Sequence, residues 1–209
     1  MPSAHSFGLF FSAALILAVT PGPGILYVLT RSLSGGRCDG IASSFGTAVG
    51  GLGHVLAAAL GLSAILATSA LAFGVIKWMG AAYLMYLGIH MLMSQKVEFR
   101  SELIERTSTR YIFMQGILTE VLNPKTALFF LAFLPQFINP YGPIVLQFLV
   151  LGSISVGLNT SVDLVVATFA GPIGQRLQER VRFRRGQRIF SGCALIALGT
   201  YVALANDPQ

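Results

Sequence analysis

Thr20-Pro21-Gly22-Pro23-Gly24 lies inside the first long apolar run of the chain, residues 7–30. This run has the length of a membrane-spanning helix, and the quoted residues are the least able to stay helical within it. A proline lacks a backbone N–H and its ring crowds the carbonyl four residues earlier, so Pro21 frees the carbonyl of Leu17. An unpaired backbone group costs several kcal/mol in hydrocarbon, so the break must pack against a partner or line a cavity.

The composition is typical of an integral membrane protein. Of the 209 residues, 54% are hydrophobic and only 11% are charged, and a soluble domain carries about twice that charged fraction. We therefore predict one all-α membrane domain that comprises residues 1–209. Cys38 and Cys193 do not have the spacing of a disulfide framework or a metal site, so we expect no metal and no cofactor.

The N-terminus does not have the pattern of a signal peptide. No Lys or Arg precedes Arg31, so the positively charged n-region is missing. The apolar run is also longer than the hydrophobic region of a signal peptide. We therefore expect residues 7–30 to remain in the protein as its first span.

Six apolar segments are candidate membrane spans. A helix needs about 20 apolar residues to cross about 30 Å of hydrocarbon. The candidates are residues 7–30, 41–66, 73–93, 111–137, 144–170 and, somewhat shorter, 189–205. Lys77 and Trp78 belong at the membrane interface, where a Lys side chain reaches water and Trp is enriched.

The basic residues are concentrated on one side of this predicted topology. Twelve of the 14 Lys and Arg residues lie in the first, third and fifth connections: Arg31, Arg37, Lys96, Arg100, Arg106, Arg110, Arg176, Arg180, Arg182, Arg184, Arg185 and Arg188. By the positive-inside rule these connections are cytoplasmic and both termini lie outside. Topology signalling accounts for the net charge of +6 without a nucleic-acid partner. Contact of the basic residues 175–188 with anionic lipid is an alternative.

The six spans divide into two halves of three, residues 7–94 and 111–206, joined by the charged connection 95–110. An odd number of spans means that the halves enter the membrane in opposite directions, as in the inverted repeats of secondary transporters. The first span of each half is interrupted, at residues 21–24 and at Asn123-Pro124. Interrupted spans at corresponding positions indicate a substrate site, although residue identity between the halves is weak.

Polar residues lie at the depth of the two breaks. At a rise of 1.5 Å per residue, they fall about 9–16 Å from the cytoplasmic ends of their spans, and two basic residues fall near 20 Å. The residues of this layer are Glu120, Asn159 and Asp163, with Asn123 at the second break and His54 and Lys125 deeper. Charged groups inside a membrane are costly and indicate a functional site.

The spacing of these residues suits a small cation. Glu120 and Asn123 share one helix face, and Pro124 frees the carbonyl of Glu120. Asn159 and Asp163 are four residues apart and form a second polar face. Each face offers oxygen atoms to an ammonium group or a proton.

The carboxylate of a zwitterion has two candidate partners. The chain that restarts after Pro23 exposes N–H groups at the positive end of a helix dipole, and Gly24 allows close approach. Lys125 is the other candidate. An amino acid fits such a site, as do other small polar metabolites. The predicted substrate-binding residues are Pro21, Gly22, Pro23, Gly24, Glu120, Asn123, Pro124, Lys125, Asn159 and Asp163, and the candidates for proton coupling are Glu120, Asp163 and His54.

Structural interpretations compete with these functional ones. A proline kink in a membrane helix is often only a packing device, and Asp163 has the alternative role of ion-pair partner to Lys125. His54 is more commonly an interhelical hydrogen-bond partner than a proton relay. Gly46 and Gly50 permit close helix packing, and small-residue faces make a homodimer plausible.

Several motifs resemble those of the lysine exporter (LysE/RhtB) family of amino-acid exporters. They are Thr20-Pro21-Gly22-Pro23, the glycine-rich second span, Gly80-Ala81-Ala82-Tyr83-Leu84 with Tyr86-Leu87-Gly88, Asn123-Pro124-Lys125, and Phe133-Leu134-Pro135-Gln136-Phe137. The resemblance implies a bacterial inner-membrane exporter of amino acids or related metabolites, driven by protons as an antiporter. The spans themselves contain no nucleotide-binding loop or nucleophile–base arrangement, so we do not expect an enzyme. A channel and a membrane assembly protein are the alternatives.

Overall fold

The computed structural model describes residues 4–62, 70–93, 108–169 and 181–204, which are helical and contain no strand. The helices are α1 (Ala4–Val19), α2 (Pro23–Gly35), α3 (Arg37–Ala57), α4 (Ala70–Met93), α5 (Thr109–Val121), α6 (Pro124–Leu128), α7 (Ile144–Phe169) and α8 (Val181–Leu204). α3 continues into a π-helical turn, Ala58–Leu62, and α6 into a π-helical turn, Phe129–Phe133, and a 3-10 turn, Leu134–Phe137.

Two to four candidate membrane spans occur in the described part of the chain. Arg37–Gly61 and α7 are each long and apolar enough, with mean hydropathies of 1.3 and 1.7. The pairs α1–α2 and α5–α6 satisfy the same criteria when each pair is counted as one span. Most of the predicted third connection, much of the predicted basic segment 175–188 and the C-terminal tail lie outside the described residues.

Both predicted breaks are present as sharp bends. α1 and α2 meet at 45°, and α5 and the helix that begins at Pro124 meet at 44°. Each second helix begins with a proline, whose missing N–H has no intrahelical partner at that position in any case. At the second break the Asn123 side chain also accepts a hydrogen bond from the backbone N–H of Lys125, at 3.1 Å. The local sequence therefore ends one helix and starts the next.

The first connection is much shorter than predicted. α2 extends to Gly35 and α3 begins at Arg37, so Gly36 alone joins them, with a φ of 84° that glycine adopts at little cost. Arg31, which we expected in a solvated connection, is instead buried in α2, with 7% of its surface exposed. Its guanidinium donates to the Gln115 side chain and lies 5.5 Å from the centre of the Tyr27 ring. These contacts replace water and allow the helix to continue past the charge.

α3 and α5 pack backbone against backbone. A Cβ atom added to Gly46 would lie 2.3 Å from the carbonyl oxygen of Phe113. A Cβ added to Gly116 would lie 2.8 Å from the carbonyl oxygen of Ser43. Only glycine fits at these distances, so the small residues predicted to be architectural bring α5 against α3.

A second close pair is formed by α4 and α8. A Cβ on Gly88 would lie 2.7 Å from the carbonyl oxygen of Gly192, and a Cβ on Gly199 would lie 2.8 Å from that of Ala81. The last helix of each predicted half therefore packs against the other through glycines.

An aromatic cluster joins α1, the extension of α6, and α8. The rings of Phe133 and Phe137 lie 5.0 Å apart, Phe10 lies 5.7 Å from Phe137, and Tyr201 lies 5.6 Å from Phe133. Such ring pairs stabilise a fold by about 0.5–1.5 kcal/mol each beyond the area they bury. The cluster fixes the chain directly after the second break, and thereby the side chains at that break.

Candidate functional site

Lys125 forms hydrogen bonds with carbonyl groups at the C-terminal end of α1. Its ammonium donates to the carbonyl oxygens of Leu17 and Thr20, at 3.0 and 2.9 Å. The Leu17 carbonyl is the one that Pro21 deprives of its helical partner. Lys125 is 5% exposed, and charge-assisted bonds of this kind are stronger than neutral ones. A side chain from the second break therefore satisfies the backbone of the first.

The Glu120 carboxylate is held by the residues of its own break. Its Oε2 accepts from the Asn123 side-chain amide at 2.9 Å, and its Oε1 accepts from the Thr126 hydroxyl at 2.6 Å. The group is buried, with 3% exposed. Because Asn123 also accepts from the Lys125 N–H, the carboxylate and the start of α6 are fixed together. Glu120 and Asn123 thus lie on one face, as their spacing predicts.

The carbonyl of Glu120 is not free, contrary to our expectation from Pro124. It accepts the backbone N–H of Asn123 at 3.0 Å, and the His54 ring donates to it from Nε2 at 2.9 Å. The His54 ring also stacks on Phe130, with 6.0 Å between the ring centres. The residues of α3 supply the partner that the proline removed. His54 therefore has an interhelical hydrogen bond, and its part in proton coupling stays a prediction.

The two breaks lie against each other. A Cβ added to Gly24 would lie 2.4 Å from Oε2 of Glu120, and a Cβ added to Gly22 would lie 3.0 Å from Cε of Lys125. The glycines at the start of α2 therefore leave room for side chains from the second break. The positive end of the α2 dipole faces a carboxylate of the protein itself.

A polar cavity lies between α3, the second break and α7. The space between its lining side chains is about 270 Å³, including the part that opens to the outside. Its lining consists of Thr47, Ala48, Gly51, Glu120, Thr126, Phe130, Ser155, Val156, Asn159, Thr160 and Asp163. The charged residues in that lining are the two carboxylates.

One row of polar groups on α7 lines this cavity. Ser155, Asn159 and Asp163 follow one another at intervals of four residues, which places them on one face of the helix. Ser155 and Asp163 are each 5% exposed. Within the described residues, neither the Ser155 hydroxyl nor the Asn159 amide makes a hydrogen bond, and Oδ1 of Asp163 has no partner. Asn159 is half-buried. Buried polar groups in native proteins are almost always paired with protein, water or a ligand, so Ser155 and Oδ1 of Asp163 are open to a partner in the cavity.

The other oxygen of Asp163 has only a shared partner. Its Oδ2 lies 3.0 Å from the Thr47 hydroxyl, which is also 2.8 Å from the Ser44 carbonyl. One hydroxyl proton cannot serve both acceptors fully. No hydrogen bond joins Asp163 to Lys125 within the described residues, because the Lys125 ammonium lies on the carbonyls of α1.

The structure divides the predicted site residues into two groups. Glu120, Asn159 and Asp163 line the cavity. Gly22, Gly24, Asn123 and Lys125 lie where the two breaks meet beside it, and Pro21, Pro23 and Pro124 lie within the breaks. Sequence analysis missed the hydroxyls of Thr47, Thr126, Ser155 and Thr160. The sequence does indicate Ser155, because it continues the four-residue spacing of Asn159 and Asp163 and therefore lies on the same helix face. No cluster of three or more His, Cys, Asp or Glu side chains suited to a metal ion occurs in the described part of the chain.

The sequence is similar to one protein family and to several bacterial membrane proteins. The profile of the LysE type translocator family matches residues 15–206. The chain is 32% identical over 200 residues to the homoserine/homoserine lactone efflux protein of Salmonella typhimurium, a match that covers 94% of this chain and 95% of that protein. It is 30% identical over 207 residues to an uncharacterized membrane protein of Vibrio cholerae, covering 97% and 98%. An uncharacterized membrane protein of Bacillus subtilis is 30% identical over 210 residues, covering 96% of this chain and all of that protein. No solved structure matches the chain significantly.

Proposed function

The chain belongs to the LysE type translocator family of membrane transporters, and from this we propose that it exports amino acids or closely related small metabolites across the bacterial inner membrane. Two relatives bear the name homoserine/homoserine lactone efflux protein, which supports a small amino compound as the substrate. Because this family consists of transporters, we propose that the protein transports its substrate and does not convert it.

The unpartnered row on α7 is the observation that carries the proposal. Oδ1 of Asp163, the Asn159 amide and the Ser155 hydroxyl present oxygen atoms along one side of the cavity, and an ammonium group is a matching donor. Glu120 adds a second carboxylate from the opposite side. An ammonium group in the cavity would supply the donors that the buried oxygen atoms of Ser155 and Asp163 lack.

We further propose that the protein works by alternating access as two inverted halves, residues 7–94 and 111–206, in one domain of six spans. The similar bends of 45° and 44° at corresponding positions support this arrangement. So does the helix packing, since α3 lies against α5 and α7 lies against α1, and exchanging the halves converts one contact into the other. The basic connections support an orientation with both termini outside, and contact with lipid follows from the exposed apolar side chains.

Proton coupling follows from competition at the carboxylates. A carboxylate that binds either an ammonium group or a proton exchanges one for the other, which is the requirement of an antiporter. Asp163 and Glu120 are the proposed exchange groups, with His54 as a third candidate through its bond to the Glu120 carbonyl. Lys125 and the start of α2 were the candidate anion partners, but their contacts favour a role in holding the breaks together. Small-residue faces leave a homodimer as a further expectation.

The proposal predicts that Asp163→Asn and Glu120→Gln each abolish export, because each removes a charge that neutral groups do not replace. The measurement is counterflow in proteoliposomes against a panel of amino acids, at two pH gradients. Asp39→Asn is the matched control, since it removes a carboxylate at the start of α3, outside the cavity.

Wild-type rates in both variants would refute the carboxylate assignment. Flux that does not saturate and needs no proton gradient would favour a channel. No flux with any amino acid or related small amine would favour an assembly protein.

A further inference from the structure

The charges around the cavity are all of one sign. Its lining contains the two carboxylates of Glu120 and Asp163 and no Lys, Arg or His. Its other polar groups are neutral hydroxyls and one amide. A ligand with a positive end is attracted to this cavity, and one with a negative end is repelled from it.

The nearby positive groups are directed at groups of the protein itself. The Lys125 ammonium donates to the carbonyls of Leu17 and Thr20, so it is directed at the end of α1. The start of α2, the other positive end, faces Oε2 of Glu120 across Gly24. A substrate carboxylate would have to displace one of these contacts or remain without a cationic partner.

The remaining basic groups near the breaks are engaged as well. The Arg31 guanidinium donates to Gln115 and lies over the Tyr27 ring, and the His54 ring donates to the Glu120 carbonyl. Neither residue is part of the cavity lining.

From this charge distribution we propose that the cavity selects primary ammonium compounds whose other end is uncharged, such as amino-acid amides, esters and amino alcohols, over the corresponding zwitterionic amino acids. The inference rests on the proposed function and narrows its substrate class. The ammonium group occupies the place between Asp163 and Glu120. The neutral polar end contacts the hydroxyl group of Ser155 and the amide group of Asn159. A ligand carboxylate at that place would gain nothing over a neutral group, because the two carboxylates of the cavity repel it.

A matched set of small probes tests this selectivity. Serine, serinamide and ethanolamine share the ammonium group and the hydroxyl, and differ in whether the third substituent is charged, neutral or absent. N-acetylserine keeps the carboxylate and loses the positive charge. Binding is measured by isothermal titration of the purified full-length protein at neutral pH, where the three amines are largely protonated and protons compete less for the carboxylates, and transport by counterflow in proteoliposomes.

We expect serinamide and ethanolamine to bind at least about tenfold more tightly than serine, and N-acetylserine not to bind. Asp163→Asn should weaken the binding of the amines, because it removes a carboxylate that attracts them. It should also reduce the preference for serinamide over serine, because the same carboxylate repels the carboxylate of serine. Asp163→Glu should keep the order of preference, which separates loss of charge from loss of fold, and Asp39→Asn should leave all affinities unchanged.

Counterflow of serine with an affinity equal to or above that of serinamide would overturn this inference and leave the proposed function intact. Failure of every probe, and of the amino-acid panel, to bind or move would overturn both. An unchanged serinamide preference in folded Asp163→Asn would also overturn the inference, since the repelling charge would then lie elsewhere.

Discussion

The side chain of Lys125 supplies hydrogen-bond donors to the backbone at the first break, where the Leu17 carbonyl also accepts the N–H of Thr20 at 3.1 Å. In water a broken helix leaves its last carbonyls to solvent, but in hydrocarbon each one needs a partner. The ammonium of Lys125 serves the carbonyls of both Leu17 and Thr20. The proline therefore fixes which carbonyl is open, and a residue about a hundred positions later closes it.

Replacing this side chain should destabilise the protein without touching the cavity lining. We expect Lys125→Met to cost about 2–4 kcal/mol, because it leaves two buried carbonyls with fewer partners. Thermal unfolding of the purified protein in detergent measures the loss. Arg110→Met, which removes an exposed cation at the start of α5, should have almost no effect. Equal stability of the two variants would contradict the role assigned to Lys125.

At this scale the sequence predicts which residues matter better than it predicts what they contact. The spacing of Glu120 and Asn123 is local, and the predicted shared face is present as a hydrogen bond. The partner of the Glu120 carbonyl is not local, because His54 reaches it from another helix. A proline in the sequence indicates which carbonyl loses its helical hydrogen bond. Only the packing of the helices shows which group donates to that carbonyl instead.

The contact between α3 and α5 lies beside Glu120, one of the two carboxylates of the cavity. Gly46 and Gly116 allow their backbones to touch, and further along α3 a Cβ on Gly50 would lie 2.8 Å from Cβ of Glu120. The carboxylate is thus held at its position by the packing of two helices as well as by its own hydrogen bonds. A displacement of α5 away from α3 would move Glu120 with it.

Two glycines of α3 provide a matched test of this packing. Gly46→Ala places a methyl group against the Phe113 carbonyl and should destabilise the protein by about 1–3 kcal/mol. Gly53→Ala, on the same helix, meets nothing within 4 Å and should stabilise it slightly through helix propensity. The comparison is again thermal unfolding in detergent. The prediction fails if both substitutions act in the same direction by similar amounts.

The helix boundaries illustrate where sequence patterns mislead. Hydropathy predicts the existence of the helices and, through the prolines, the positions of both breaks. It ends the first span before Arg31, since a charge normally marks the membrane surface. The contacts of Arg31 with Gln115 and Tyr27 allow α2 to continue to Gly35 instead. A charged residue marks a span end only if no neighbouring helix supplies its partners.

For the whole molecule, the strongest sequence prediction concerns orientation. The basic residues of the odd connections predict a cytoplasmic location for the corner between α2 and α3, and an external C-terminus.

Cys38 offers a direct measurement, because it is exposed at the start of α3. In cells with the outer membrane removed, an impermeant maleimide should fail to label Cys38 in the Cys193→Ser variant until the inner membrane is permeabilised. With Cys38→Ser and Cys193→Ser in place, Asn206→Cys should be labelled at once. The reverse pattern would invert the topology.

The single residue between α2 and α3 limits the ways in which the first half can change shape. Two helices joined through Gly36 alone can change their angle only by rotating the few backbone bonds of that corner, and its φ of 84° is already a conformation that few residues tolerate. α3 is in turn held against α5. Among the described residues next to α2, the other place where the chain can turn is the short segment before Pro23, where Gly22 lies between two prolines. We expect an exchange of accessibility between the two sides of the membrane to turn α1 relative to α2 about that segment and to leave the corner unchanged.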